Sequence, residues 1–302
     1  MADAYFPDRS EPIDRWFQAE NAGNPRTTAK FITGMCPERP EFVIDPFCGS
    51  GSTATAARLL GLPFYGIEAD PVLTCASLAK VWAAKRHAAL LPVLPDARVP
   101  GELVSALDRV RDSRDPEDAL IVSALMVLSA FRSAQQRPLE ADTITADLAA
   151  WPDPVPGGHL TRGNALSSSS WRRLGLPRAR AVMYASPPFG ATSPAIDPPG
   201  YVRAAAVSML EAFRADVLGG VTPGFPGYAA IVVGMFRRAA AYLTRGTLIV
   251  EHEPDDSGAD GTTEVIRAVD AEFSGVIHSP RIIQCGAFSR RGTLSLMVFE
   301  LR

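Results

Sequence analysis

The stretch that decides the fold is Val43-Ile44-Asp45-Pro46-Phe47-Cys48-Gly49-Ser50-Gly51-Ser52. The apolar run Phe42 to Ile44 predicts a buried strand. An acid and a proline end this strand, and a Gly-Ser-Gly turn leads into small residues with helical spacing, Thr53 to Leu60. Glycines let the chain turn sharply and let a ligand approach the N–H groups at the start of a helix. The pattern therefore predicts a parallel α/β sheet that binds a nucleotide-like ligand at the carboxyl end of a strand.

The residues of this turn argue against two common nucleotide-binding loops. The dinucleotide pattern Gly-x-Gly-x-x-Gly requires a third glycine where residue 54 is alanine, and a P-loop requires a lysine that the turn lacks. Asp45 would repel a pyrophosphate, whereas its carboxylate suits a ligand with a cationic amino group. The structural alternative is an ordinary packing turn between a strand and a helix.

The same stretch resembles motif I of the amino-methyltransferases that modify DNA bases, usually written Asp-Pro-Phe-x-Gly-Ser-Gly-Thr. The resemblance implies S-adenosylmethionine as the cofactor, because its ammonium and sulfonium groups suit Asp45. It also implies a class I, Rossmann-like methyltransferase fold: an α/β protein with a mostly parallel seven-stranded sheet, flanking helices and a helical insertion. The cofactor contacts that it implies for this stretch are Asp45, Pro46, Phe47, Gly49, Ser50, Gly51 and Ser52.

An acid after the second predicted strand is a further candidate cofactor contact. Phe64 to Ile67 forms this apolar run, and Glu68 follows it. An acid about 20 residues beyond a glycine turn suits hydrogen bonds to ribose hydroxyls. Asp70 is the better cap for the next helix, because Pro71 suits the first position of that helix. We therefore assign the ribose contact to Glu68.

Three more cofactor contacts follow from the resemblance alone. The family segment before motif I commonly reads His-Pro-x-Lys-Phe, and residues 24–31 are a loosened version of it, which implies contacts from Thr28 and Lys30. An ordinary capped helix is the alternative. Asn164 stands where the family often has an acid that contacts the adenine amino group, and its amide oxygen can also accept a hydrogen bond. The alternative for Asn164 is a cap on the following turn.

A second motif predicts the catalytic loop. Ser186-Pro187-Pro188-Phe189 follows the apolar strand Ala181 to Ala185. A Pro-Pro turn alone is a weak signal, but this one ends a strand of the predicted sheet. It resembles motif IV, whose serine form is commonest in cytosine-N4 enzymes. The resemblance implies that Ser186 Oγ and the Pro187 carbonyl accept from an amino group, that the prolines fix the backbone, and that Phe189 stacks on the base.

Composition bounds the architecture. The chain has 302 residues, of which 47% are hydrophobic, enough for one large domain or a domain with an insertion. We expect a methyltransferase core at residues 1–71 and 158–302 and a helical insertion at 72–157. No apolar run of about 18 residues appears and residues 1–15 lack the features of a signal peptide, so we expect a cytoplasmic protein with no membrane partner.

Metal binding is not expected from the sequence. The four cysteines, Cys36, Cys48, Cys75 and Cys285, have no close-spaced metal pattern. Glu251-His252-Glu253 follows a predicted strand at Gly246 to Val250, but neighbouring residues on a strand point to opposite faces. We interpret the three residues most simply as a solvated strand end, and a role on the substrate side is the alternative.

The resulting expectation is a methyltransferase that acts on an exocyclic amino group of a DNA base, with cytosine N4 favoured. The net charge of −3 is low for a duplex-DNA binder, which usually displays a basic face. The alternative is an N-methyltransferase of another planar amino or amide group in RNA, a peptide side chain or a small natural-product metabolite. A non-catalytic binding subunit is a third possibility. The arginines that would supply a basic patch, or else form solvated faces, are Arg172, Arg173, Arg178, Arg180, Arg237, Arg238, Arg290 and Arg291.

Overall fold

The computed structural model describes residues 11–17, 23–91, 100–187, 197–213, 227–252, 261–289 and 292–302. Its centre is one twisted sheet with helices on both faces. The strands are β1 (Phe42–Asp45), β2 (Phe64–Glu68), β3 (Gly158–Arg162), β4 (Arg180–Ala185), β5 (Arg245–His252), β6 (Ile277–Ser289) and β7 (Gly292–Leu301).

The strand order is β3-β2-β1-β4-β5-β7-β6. The first five strands in this order, β3 to β5, run parallel to one another. β7 is antiparallel to both β5 and β6. This arrangement confirms the predicted α/β fold with a mostly parallel seven-stranded sheet. Ligands of such sheets bind at the carboxyl edge, where the strand order reverses. Here the order reverses between β1 and β4, which carry the two sequence motifs.

Helices cover both faces of the sheet and fill the connection between β2 and β3. The described helices are a short 3-10 helix (Asp14–Trp16), α1 (Pro25–Met35), α2 (Ser52–Leu60), α3 (Pro71–Trp82), α4 (Lys85–Leu90), α5 (Pro100–Ser113), α6 (Pro116–Ala134), α7 (Ala141–Ala150), α8 (Ser168–Leu174), α9 (Gly200–Ala212), α10 (Tyr228–Tyr242) and α11 (Thr262–Phe273). The segment from α3 to α7 corresponds to the predicted helical insertion, whose boundaries as a separate unit stay a prediction.

Side chains alternate between two buried layers along the central strands. Val43, Val182 and Ile249 lie in the layer that also contains α3 and α6, whereas Ile44 and Met183 lie in the layer with α10. Because successive residues point to opposite faces, Asp45 and Glu251 continue the first set. Two carboxylates therefore reach the carboxyl edge on the same face of the sheet.

The helical segment that follows β2 is interrupted after α3. α3 ends at Trp82 and α4 begins at Lys85, with Ala84 extended between them. The Ala84 N–H donates to His87 Nδ1 at 2.8 Å, so a side chain takes a bond that a continuous helix would make through the backbone.

None of the helices in the described parts of the chain has both the length and the apolar character that a membrane span requires.

Candidate active site

The turn between β1 and α2 is built by two glycines in left-handed conformations. Gly49 has φ 53° and Gly51 has φ 89°. The Gly51 N–H donates to the Cys48 carbonyl at 2.9 Å and closes the turn. α2 begins at the next residue, and the first N–H groups of a helix have no partner within it. The turn therefore presents backbone donors at the carboxyl edge of the sheet.

Gly51 is also required by close packing against α3. A Cβ at this residue would lie 3.0 Å from Ser77 Oγ, 3.1 Å from Ser77 Cα and 3.4 Å from Lys80 Cδ. Ser77 Oγ in turn donates to the Gly49 carbonyl at 3.2 Å. Helix α3 thus supports the turn from below. The Ser52 hydroxyl, at the first residue of α2, has no hydrogen-bond partner among the described residues.

Asp45 is a buried carboxylate at the end of β1. It accepts from the Phe47 N–H at 2.8 Å, and 2% of the residue is exposed. Burial raises the pKa of Asp45 to about 7, against the hydrogen bonds from Thr53 and Phe47, and the charges of Glu251 and Glu68 raise it further. An anion in this setting is stabilised by a cation, as expected for a ligand with an ammonium group.

Glu68 connects the glycine turn to the start of α3. Its carboxylate accepts from the Gly49 N–H at 2.7 Å and from the Asp70 N–H at 2.8 Å. Burial raises the pKa of Glu68 to about 7, although both N–H groups favour the ionised form. The residue is partly exposed, and a carboxylate has about four acceptor sites. Glu68 therefore keeps acceptor capacity for the hydroxyls of a ligand.

Asp70 caps α3, as predicted. Its Oδ1 accepts from the Val72 and Leu73 N–H groups at 2.8 and 3.1 Å, while Oδ2 accepts from Arg203 at 2.8 Å. These bonds occupy both oxygens within the protein. Glu68, with two such bonds against three at Asp70, keeps more acceptor capacity, and its cofactor contact stays a prediction.

Asn164 adopts the capping arrangement that was its structural alternative. Its Oδ1 accepts from the Leu166 N–H at 2.8 Å, and its carbonyl accepts from the Ser167 N–H at 2.9 Å. The preceding Gly163 N–H donates to the Glu68 carbonyl at 2.8 Å, so Asn164 lies beside the end of β2. A carbonyl oxygen has a second lone pair, and the cofactor contact of Asn164 stays a prediction.

The two predicted cofactor contacts on α1, Thr28 and Lys30, lie on different faces of that helix. Thr28 is buried, and its hydroxyl lies near Gly23, which in turn lies near Ser52 of the glycine turn. Lys30 is exposed. Residues two apart on a helix do not share a face, so Thr28 is on the side of the turn and Lys30 is not. Among the other predicted cofactor residues, Pro46 and Ser50 are buried, whereas Phe47 is partly exposed.

The predicted catalytic loop begins at the carboxyl end of β4. Ser186 is partly exposed and Pro187 is buried. β4 lies directly beside β1, with Ile44 paired to Met183, so Ser186 follows at the same edge as Asp45. Pro188 and Phe189 lie outside the described residues, and their predicted roles stay predictions.

The interpretation of Glu251 and His252 as a solvated strand end is wrong. They are 4% and 5% exposed, because Tyr228 of α10 contacts both residues and β7 pairs with the end of β5. Glu253 lies outside the described residues. Tyr184 Oη donates to the Glu251 carboxylate, Tyr228 Oη donates to the Glu251 carbonyl at 2.7 Å, and the Tyr228 ring lies 4.9 Å from the His252 ring. Two tyrosines far apart in sequence bury this acid, and no local pattern marks such a pairing.

Sequence reasoning also missed a buried ion pair behind the glycine turn. Lys80 Nζ donates to Asp14 at 2.9 Å and to the Phe17 carbonyl at 2.6 Å, and both charged side chains are fully buried. Burial lowers the pKa of Lys80, and the charge of Asp14 opposes this. The neighbouring Trp16 indole donates to Asp147 at 2.8 Å. The segment before α1 is thereby fixed to the helices that support the turn.

The described residues thus assemble a negatively charged site that suits a cationic ligand. No group of three His, Cys, Asp or Glu residues with metal-binding geometry occurs in the parts of the chain that the structure describes. The carboxylates Asp45, Glu68 and Glu251 stand at the ends of three parallel strands, with backbone donors from the turn between them. This combination suits a ligand that has a cation, hydroxyl groups and a polar ring.

Residues 15–75 match the family model for DNA methylase, the N6 and N4 methyltransferases. The matched stretch contains Trp16, α1, the glycine turn and Glu68. It confirms, over these residues, the resemblance that the sequence predicts. No curated protein is significantly similar to the chain in sequence.

Several solved structures are distantly similar to the chain. A putative class I S-adenosylmethionine-dependent methyltransferase from Listeria monocytogenes shares 10% identity at a TM-score of 0.40, over 92% of this chain and 58% of that one. Precorrin 8W decarboxylase from Methanobacterium thermoautotrophicum shares 12% identity at a TM-score of 0.37, over 100% of this chain and 98% of that one. Precorrin-6y C5,15-methyltransferase from Geobacter metallireducens shares 7% identity at a TM-score of 0.36, over 99% of this chain and 94% of that one. The fold of this chain is defined by its strand order, β3-β2-β1-β4-β5-β7-β6.

Proposed function

We propose that this chain, a class I methyltransferase that uses S-adenosylmethionine, methylates an exocyclic amino group of a DNA base, with cytosine N4 the favoured acceptor. One observation carries the proposal. Ser186 and Pro187 stand at the end of β4, beside the strand whose glycine turn lies within the DNA methylase match. The cofactor turn and the Ser-Pro start of the second motif are therefore neighbours on one edge of the sheet.

The described residues fit the cofactor. The Ser52 hydroxyl lacks a partner among the described residues, and the first turn of α2 offers N–H donors. Asp45 supplies a buried anion for an ammonium group, and Glu68 supplies acceptors for ribose hydroxyls. When bound, S-adenosylmethionine supplies a methyl group on a sulfonium, which an amino nitrogen can accept.

The predicted catalytic loop would make the amino nitrogen of the acceptor a better nucleophile. An exocyclic amino nitrogen shares its lone pair with its ring and is therefore a poor nucleophile. Ser186 Oγ and the Pro187 carbonyl, as two acceptors, would hold both N–H groups and turn the lone pair toward the methyl group. Proline adds no competing N–H and fixes φ. The rate would then come from alignment and electrostatics. A base in a duplex would have to be flipped out to reach the loop.

The charge distribution favours a second candidate, an N-methyltransferase that acts on RNA, a peptide side chain or a small metabolite. The chain has a net charge of −3. Arg237 donates to Glu272 through two nitrogens at 2.7 and 2.8 Å, and Arg180 forms a salt bridge with Glu38 at the amino end of β4. These arginines are used within the protein, and Arg180 lies at the edge opposite Ser186.

One experiment separates the two candidates. The purified chain is incubated with labelled cofactor and with genomic DNA, total RNA or a peptide pool, and the products are hydrolysed and identified. We expect label in DNA as N4-methylcytosine. A Ser186→Ala variant, which removes one acceptor and leaves the cofactor turn unchanged, is the control and should incorporate label much more slowly. Absence of label from DNA, with label in RNA or peptide, would replace the first candidate by the second.

A further inference from the structure

Glu251 lies on the acceptor side of the site. β4 and β5 are parallel and in register, with Ala185 paired to Val250. Ser186 follows Ala185 and Glu251 follows Val250, so the two residues lie side by side at the carboxyl ends of β4 and β5. Neighbouring strands are about 4.8 Å apart, which is within reach of one small planar group. Glu251 thus stands next to the first residue of the predicted catalytic loop.

Two tyrosines from different elements hold Glu251. Tyr184 Oη donates to its carboxylate from β4, and Tyr228 Oη donates to its carbonyl from α10 at 2.7 Å. Burying a carboxylate is costly unless hydrogen bonds compensate for the lost water. A protein does not need a charge at this place for packing, because the strand before it is apolar. The arrangement therefore indicates a function for the carboxylate.

Several ionisable groups surround Glu251. Its charge contributes to the raised pKa of Asp45 on β1, of Tyr228 on α10 and of Cys285 on β6, although burial is the largest cause for each of the three. Tyr184 completes the set from β4. Asp45 and Glu251 thus lie on either side of β4, and at Asp45 the charge of Glu251 has a smaller effect on the pKa than burial and the hydrogen bonds from Thr53 and Phe47.

We propose that Glu251, held by Tyr184, is a further catalytic residue that binds the acceptor amino group beside Ser186 and accepts its proton. The inference rests on the proposed function, because it requires an amino nitrogen as the acceptor. The nitrogen donates its lone pair to the methyl carbon, and the carbon–sulfur bond breaks with its electron pair left on sulfur. Positive charge then develops on the nitrogen, where the carboxylate stabilises it. Of the two N–H groups, the one that Ser186 Oγ and the Glu251 carboxylate share finally releases its proton to the carboxylate, and the nitrogen becomes neutral.

The test compares transfer with cofactor binding in Glu251→Gln. Glutamine keeps the shape, and its amide oxygen still accepts from Tyr184, but the charge is lost. We expect the single-turnover rate of transfer to fall about 100-fold, within the range of general acid–base and electrostatic effects. The Kd for S-adenosylmethionine, measured by calorimetry, should change less than about threefold, since Glu251 is on the acceptor side. A role in folding alone would not separate these two quantities.

Two more variants complete the test. Tyr184→Phe removes only the hydroxyl and should slow transfer about tenfold or more, as expected for the loss of one hydrogen bond to a charged group. Glu300→Gln is the matched control: Glu300 on β7 lies by Thr247 near the amino end of β5, and its rate should be that of the unmodified chain.

The outcomes separate this inference from the proposed function. If the unmodified chain methylates an amino group and Glu251→Gln does so at the same rate, the role of Glu251 is overturned and the proposed function stands. If the unmodified chain binds the cofactor but methylates no amino group, the proposed function fails and the inference fails with it.

Discussion

The carboxyl edge of the sheet has two halves, a proposed cofactor half and a proposed acceptor half, that are stabilised in different ways. On the cofactor half, Gly49, Gly51 and Glu68 are joined mainly through backbone groups, with Gly49 and Asp70 N–H donors at 2.7 and 2.8 Å from the Glu68 carboxylate. On the acceptor half, side-chain hydroxyls hold Glu251. Backbone geometry fixes a site that must fit one constant cofactor, whereas side chains can adapt to the acceptor without changing the turn.

Behind each half stands a different buried charge. Lys80 lies beneath the glycine turn and pairs with Asp14, so the cofactor half is braced by an ion pair. Glu251 is bonded to tyrosine hydroxyls, and Asp45 is the charged group that senses it from the cofactor half. The difference predicts that changes in the first half affect stability and cofactor binding together. Changes in the second half should affect transfer alone.

The largest effect is expected for the aromatic residue of the catalytic loop. Phe189→Ala should lower methyl transfer by about 100-fold or more, because a misplaced acceptor loses alignment with the methyl group. Its Kd for S-adenosylmethionine should stay nearly unchanged. Single-turnover assays and calorimetry on one preparation check both quantities. Unchanged turnover would show that the loop does not hold the acceptor.

A large loss of stability is expected when the buried ion pair is broken. Lys80→Met leaves Asp14 buried without its partner and should lower the free energy of unfolding by about 3–5 kcal/mol. The double variant Lys80→Met, Asp14→Asn should recover most of this loss. Urea denaturation measures both. A loss below about 0.5 kcal/mol, the range of ordinary surface changes, would contradict the bracing role of the pair.

A smaller effect distinguishes two glycines with similar backbones. Gly51→Ala should cost about 1–3 kcal/mol for its left-handed conformation and more for contact with Ser77 at 3.0 Å, and it should also weaken cofactor binding. Gly61, with φ 66°, has nothing within 4 Å of an added Cβ. Gly61→Ala is therefore the matched control and should show only the conformational cost. Equal unfolding free energies for the two variants would contradict close packing of the turn.

The mildest effect is a dependence of cofactor affinity on pH. Burial raises the pKa values of Asp45 and Glu68 to about 7, and only the ionised carboxylates bind a cation well. The Kd should rise about tenfold from pH 7.5 to pH 6, as expected for one such group. Without cofactor the sign reverses: stability falls as pH rises from about 4 to about 7, because the folded state binds these protons more tightly than the unfolded state. Calorimetry at each pH tests the binding. An affinity independent of pH would mean that neither carboxylate meets the cofactor's charge.

The sequence predicted the parts of the site that local patterns encode. The strand before Asp45, the glycine turn, and the offset of Glu68 are all properties of consecutive residues, and the structure has them at the expected places. The Asp70 cap was predicted for the same reason. Each depends on backbone conformations that specific residue types favour.

The parts that sequence reasoning missed depend on contacts between distant residues. Lys80 and Asp14 are 66 residues apart, and Tyr184 and Glu251 are 67 apart. A lysine in an Ala-rich helix and a glutamate at a strand end both suggest solvated charges, because such residues are rarely buried without a partner. Only the three-dimensional packing supplies the partners.

The division of the edge into a binding half and a transferring half can be tested with two substitutions. Cofactor Kd and single-turnover transfer are measured for Asp45→Asn and Ser186→Ala in parallel. We predict that Asp45→Asn weakens cofactor binding but, at saturating cofactor, retains transfer. Ser186→Ala should bind the cofactor normally and transfer slowly. If both variants lose the same quantity, the two halves are not separate and the account is contradicted.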